Sequence, residues 1–139
     1  MSDLEKSKVR LKIRKELDEI DEYQHHSKSL GVCKSILEIP EVQDASCVMA
    51  YLAQHPELNI DSLIKALLAR GVNIAVPHVG EHGHEMHPIE LGSLDKSELD
   101  VDRFGIRTPS IHKNVSLKSI DVIVVPGVAF GKNGTRLGR

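Results

Sequence analysis

The chain of 139 residues contains no tryptophan and only two tyrosines and two phenylalanines. Its core must therefore rest on Val, Ile, Leu and Ala. The two cysteines, Cys33 and Cys47, fall in no CxxC or metal-finger spacing, so they read as two reduced, buried thiols. No apolar run approaches the ~20 residues that a membrane-spanning helix needs. The amino terminus, MSDLEKSKVRLKIRKEL, lacks the apolar centre of a signal peptide, and its Asp and Glu argue against a transit peptide. A cytoplasmic protein is expected, in which the sequons at Asn114 and Asn133 are chance matches. Charge is also without a dominant sign: 18 basic against 20 acidic residues leave a net charge of -2. That balance gives no pull toward nucleic acid or membrane.

What is present is an ordinary globular composition, long enough for one domain with one core. Val9, Ile13, Leu17 and Ile20 recur at helical spacing and line one face. A second stripe, Leu30, Cys33, Ile36 and Leu37, follows the polar EYQHHSKS, which predicts two helices with a break between them, closed by Pro40. SCVMAYLA reads as a buried strand. NIDSLIKALLARG reads as a helix with Asn59 or Asp61 near its cap and Gly71 at its end, and VNIAVP as a second strand stopped by Pro77. Strand, helix, strand with apolar strands predicts a parallel α/β unit. HEMHPIEL offers a short strand in a polar stretch, IDVIVVPG a third buried strand, and the remainder a loop. One α/β domain over residues 1–139 is expected.

Four groups of residues could carry chemistry. The tail VIVVPGVAFGKNGTRLGR leaves a strand end with four glycines and with Lys132, Arg136 and Arg139, types that suit an anion; the spacing is not that of a Walker loop. Arg10 and Arg14 share a helix face and could grip one phosphate chain, although charges at this spacing usually only solvate a helix. Glu57, in QHPELNID, follows the first strand on the ligand side of an α/β sheet, where a carboxylate can accept from the amino and amide edges of a heterocycle. His78, His82, His84 and His87 crowd into PHVGEHGHEMH, a density that can bind zinc but matches no structural zinc template.

Together the motifs resemble the 5-formyltetrahydrofolate cyclo-ligase family, also called methenyltetrahydrofolate synthetases. DVIVVPGVAFGKNGTRLGR is similar to the family's signature of an apolar strand, Pro-Gly-x-x-Phe and Gly-x-Arg-Leu-Gly. FGIRTP resembles a segment that usually reads Phe-Gly-Ile-x-Glu-Pro, and RLKIRKEL resembles the opening Lys/Arg-x-x-x-Arg helix. The resemblance implies a three-layer α/β sandwich with a mixed or mostly parallel sheet behind N-terminal helices. It implies ATP- and Mg²⁺-dependent cyclisation of 5-formyltetrahydrofolate to 5,10-methenyltetrahydrofolate, through phosphorylation of the formyl oxygen. Position by position, it assigns Arg10, Arg14, Arg136, Leu137, Gly138 and Arg139 to ATP, and Arg14, Leu52 and Glu57 to the folate.

The departures are Arg10 for a frequent Lys, Gly131 where Asp is common, and Thr108 where Glu is usual. The family continues past RLG into Gly-x-Gly-Tyr-Tyr-Asp, which carries a magnesium carboxylate, so the resemblance places the metal ligand beyond Arg139 and implies a chain incomplete at that end. Such a chain is expected to expose an apolar sheet edge open to self-association. Two rivals stand beside the ligase: a non-catalytic folate- or nucleotide-binding homologue, and a histidine-rich metal-binding module.

Overall fold

The computed structural model describes residues 1–80 and 85–138. Its two leading helices start where the chain offers capping boxes. Ser2 accepts from the Glu5 amide while the Glu5 carboxylate accepts from Ser2 at 2.8 Å, opening α1, Asp3–Asp18. Asp21 and Gln24 repeat the arrangement and open α2, Glu22–Leu37. The polar EYQHHSKS therefore lies inside α2, and the break falls earlier, just before Asp21. The cap decides this boundary, because it satisfies amides that the apolar pattern does not register. The α1 stripe of Val9, Ile13, Leu17 and Ile20 is half-buried. α2 ends at Leu37, ahead of Pro40 as expected, and Pro40 itself opens a further short helix α3, Pro40–Gln43, which the sequence reading did not include.

The sheet is mixed, in order β3-β2-β1-β6. Its members are β1 (Cys47–Met49), β2 (Asn73–Val79), β3 (Met86–Leu91) and, after a separate hairpin of β4 (Leu99–Val101) with β5 (Arg107–Pro109), β6 (Val122–Ile123). β1 pairs in parallel with both β2 and β6, placing Val48 opposite Ile74 and Val122, while β3 runs antiparallel to β2. The β1–β2 crossover is α4, Asp61–Ala69. Gly71 ends it at φ 81°, donating to Leu68 O, with Val72 donating to Leu67 O, a Schellman closure that only glycine makes without strain. The core is aliphatic, as composition requires: Val48, Leu63, Ile64, Leu67, Ile74 and Ile89 are all fully buried and belong to one cluster. Cys33 and Cys47 are both free and buried, and burial raises the pKa of each thiol.

Three expectations are modified. β2 runs through Pro77 to Val79, because Pro77 lies opposite Pro88. The Pro88 carbonyl accepts from Val115 on its other side, so this pair is of the kind in which neither nitrogen faces its partner strand. IDVIVVPG forms only the two-residue β6 at the sheet edge. Val122 and Val124 pack on the core, while Ile123 and Val125, on the opposite face, are exposed. The tail after it is a hairpin, β7 (Ala129–Phe130) against β8 (Arg136–Leu137), with Gly134 at φ 86° in its turn. No helix among the described residues is long and apolar enough to cross a membrane.

Candidate functional site

The loop at residues 54–59 leaves β1 at its carboxyl end and carries Glu57 to the meeting point of three cavities. The loop closes on itself: the Glu57 amide donates to Gln54 O at 2.9 Å, and Glu57 Oε1 accepts from the Gln54 amide at 2.9 Å. One carboxylate oxygen is thereby aimed by the backbone. Asn59 Oδ1 accepts from the Asp61 amide at 2.8 Å, so Asn59 caps α4 from one residue further out than a formal N-cap.

On one side of Glu57, a cavity of about 170 Å³ is formed by Arg10 and Arg14 from α1 and by Gly127, Val128 and Phe130 from the tail. The two arginines expected to share a helix face thus line one space. Arg10 Nε donates to Gly138 O at 2.7 Å, tying the first helix to the end of the chain. That contact joins two motifs 128 positions apart. Arg136 differs from expectation. Its Nη1 donates to Pro126 O at 2.9 Å, across the hairpin, and it does not line the Arg10 cavity. The hairpin also uses its own amides: Gly131 N donates to Thr135 O and Gly134 N to Gly131 O. Two of the four tail glycines thus commit their amides to a closed turn. Leu137 lies in β8, its carbonyl accepting from Val128, and Arg139 lies outside the described residues.

On the other side of Glu57, a cavity of about 180 Å³ has Leu52, Tyr51 and Val76 as apolar wall and Asp102, Arg107 and Thr108 as polar rim. Leu52 and Glu57 thus do share a pocket. The FGIRTP motif builds its rim. Asp102 Oδ1 accepts from the amides of Phe104 and Ile106, and Gly105 makes the turn at φ 78°. Phe104 O accepts from Gln54 Nε2 at 2.9 Å, which couples this turn to the Glu57 loop. Arg107 is fixed by a two-pronged pair with Asp61 at 2.9 and 3.0 Å. Thr108 Oγ1 is buried and has no hydrogen-bond partner among the described residues, a donor and acceptor that a bound ligand can satisfy. Tyr51 OH donates to Leu58 O at 2.8 Å, and burial, with Glu57 nearby, pushes its hydroxyl up to about 12.

The histidine cluster is only partly visible, since His82 and His84 lie outside the described residues. His78 and His87 face each other across β2 and β3, and His112 lies against His78 at 4.0 Å between ring centroids. Burial, then the neighbouring rings of His112 and His87, lower the pKa of His78. Among the described residues no group of three or more His, Cys, Asp or Glu is arranged to hold a metal ion.

The sequence pointed to Arg10, Arg14, Leu52 and Glu57, which the structure brings to the linings of adjoining cavities, and did not point to Gln54, Asp102, Arg107 or His25. Gln54, Arg107 and His25 act through hydrogen bonds between segments distant in sequence, which no local pattern marks, whereas Asp102 shapes its own turn through the Phe104 and Ile106 amides.

The sequence profile of the 5-formyltetrahydrofolate cyclo-ligase family matches residues 3–139. The 5-formyltetrahydrofolate cyclo-ligase of Haemophilus influenzae is 28% identical, over 99% of this chain and 74% of its own length. That of Escherichia coli is 30% identical, over 74% of this chain and 57% of its own. The solved structure of Aquifex aeolicus 5,10-methenyltetrahydrofolate synthetase superposes with a TM-score of 0.80 at 28% identity, covering 96% of this chain and 66% of that one. The chain spans about two thirds of that structure's length. With Arg10 and Arg14 on one side of Glu57, Leu52 on the other, and the profile running to the last residue, the chain belongs to the 5-formyltetrahydrofolate cyclo-ligase family, a family of ligases.

Proposed function

We propose that this chain takes part in ATP-dependent cyclisation of 5-formyltetrahydrofolate to 5,10-methenyltetrahydrofolate. The observation that carries the reading is the shared wall: Glu57 lines both the Arg10/Arg14 cavity and the Leu52 cavity. Two ligands seated in them meet at one residue.

In this reading Arg10 and Arg14 hold the triphosphate and offset its charge, and Arg14 also reaches the folate. Glu57 accepts from the amino and N–H edge of the pterin, and Leu52 packs against the ring. ATP transfers its γ-phosphoryl group to the formyl oxygen and leaves as ADP. Nitrogen 10 then attacks the activated formyl carbon and gives up its proton to solvent, the five-membered ring closes, and the C–O bond breaks to release phosphate. No protein nucleophile is required; positioning and charge neutralisation suffice. ATP suits the cationic Arg10/Arg14 space. The magnesium that the resemblance implies finds no ligand set among the described residues, so no step is routed through it. Arg136, Leu137, Gly138 and Arg139 belong to the nucleotide side, Gly138 by way of Arg10.

The reading places the protein in the cytoplasm, as one domain over 1–139, with small molecules as its partners. The exposed Ile123 and Val125 beside the β6 edge are where two copies would pair. A specific observation favours the binding-only rival: the Val128, Gly131 and Gly134 amides of the tail are spent inside the hairpin. Following the near-ultraviolet absorbance of the methenyl product decides between them. Product that appears only with ATP supports the ligase, and binding of both ligands without product overturns it in favour of the rival.

A further inference from the structure

Three successive carbonyls of the Glu57 loop are held by side chains from elsewhere. His25 Nε2 donates to Glu57 O at 3.0 Å and lies 3.4 Å from Pro56 O, Tyr51 donates to Leu58 O, and Cys33 Sγ donates to Asn59 O at 3.7 Å. The Asn59 amide in turn donates to Ser29 Oγ at 3.1 Å. His25, Ser29 and Cys33 are four residues apart on α2, so they form one polar stripe on a single helix face. An irregular loop leaves part of its backbone to be satisfied from elsewhere, and this stripe meets the Glu57 carbonyl and both backbone groups of Asn59, with Tyr51 meeting Leu58.

We propose that α2 is the positioning element for Glu57, and that His25 is the residue of that stripe which sets its orientation. Ser29 and Cys33 are buried and act at Asn59, beside the core. His25 is half-buried and acts on residue 57 itself, at the wall of a cavity of about 480 Å³ that it shares with Asp21, His55 and Glu57. Both acceptors facing Nε2 are carbonyls, which can only accept, so Nε2 carries the proton. Without that donor the Glu57 carbonyl turns to water, and the loop whose Gln54–Glu57 closure aims the carboxylate loses an anchor. The cost falls on the ligand that Glu57 recognises. The triphosphate, gripped by α1, is spared.

This inference rests on the folate reading of Glu57. Its test is calorimetric titration of the full chain with 5-formyltetrahydrofolate and, separately, with ATP, for the parent, His25→Leu and His25→Gln. His25→Leu weakens folate binding about tenfold, while ATP binding stays within about twofold. His25→Gln recovers most of the loss, because its amide presents an N–H in place of the imidazole donor. Parent-like folate binding in His25→Leu overturns the inference. So does a His25→Gln as weak as His25→Leu, a parallel loss of ATP binding, or a His25→Leu chain that no longer folds, since each makes His25 a packing residue. A parent that binds no 5-formyltetrahydrofolate overturns the proposed function itself, and this inference with it, before any substitution is compared.

Discussion

Replacing Glu57 by Gln tests the folate assignment with little disturbance of the fold. Gln keeps an Oε1 that accepts from the Gln54 amide, so the loop's own closure at 2.9 Å survives. What is lost is the charge. A carboxylate facing the amino and N–H donors of a pterin makes charge-assisted bonds about twice as strong as neutral ones, and hydrogen bonds to charged groups are worth ~1.5–3 kcal/mol each. Gln offers one acceptor and turns its NH₂ toward a donor. The expected loss is therefore about 2–3 kcal/mol, or roughly 30- to 150-fold in folate affinity. ATP, held by Arg10 and Arg14, changes by less than about threefold, below ~0.7 kcal/mol. Separate calorimetric titrations with the two ligands read both numbers, and a thermal melt within a few degrees of the parent shows that the loop has held. Equal losses for both ligands, or an unchanged folate affinity, refute the assignment.

Arg10→Leu removes one cation of the Arg10/Arg14 space and the Nε bond to Gly138 O, so ATP affinity should fall at least about tenfold, with Arg10→Lys in between because it keeps charge but not the planar donor; an Arg10→Leu chain that binds ATP like the parent contradicts this. Asp121 accepts from the amides of Cys47 and Ser46, which lower its pKa, so the native state favours the carboxylate. A lowered pKa stabilises above the ordinary value and is lost as pH falls. The stability gap between the parent and Asp121→Ala should accordingly narrow as pH drops below 3.8, and urea titrations that show a widening gap would reverse the sign. Leu67→Ala, at a fully buried site of α4, should cost about 2–5 kcal/mol and lower the melting temperature by roughly 10 °C, as calorimetry would show.

How much of this was legible in the sequence depends on whether a residue acts locally. The α1 stripe, the Gly71 end of α4 and the β1–α4–β2 crossover follow from spacing and turn chemistry, and all stand in the structure. Glu57 was reachable because it lies in the loop beyond the carboxyl end of β1, whereas Leu52 was named only through the family resemblance. The α2 start was misplaced because an Asp21–Gln24 box outweighs a polar surface pattern. IDVIVVPG read as buried because its composition is apolar on both faces, yet burial depends on what lies beside β6, which composition does not specify. His25 looked like one more residue of a polar stretch. Its role exists only because the fold brings the Pro56 and Glu57 carbonyls to it, 31 and 32 positions later.

The central claim is that nucleotide and folate lie on either side of Glu57, close enough to react. The most direct measurement is a structure of the chain with 5-formyltetrahydrofolate and a non-hydrolysable ATP analogue bound together. The account predicts the triphosphate against Arg10 and Arg14, the pterin against Leu52 and Glu57, and the terminal phosphorus about 3–3.5 Å from the formyl oxygen. A folate seated instead in the cavity beside Asp21 and His25, or a triphosphate lodged away from Arg10 and Arg14, would contradict it.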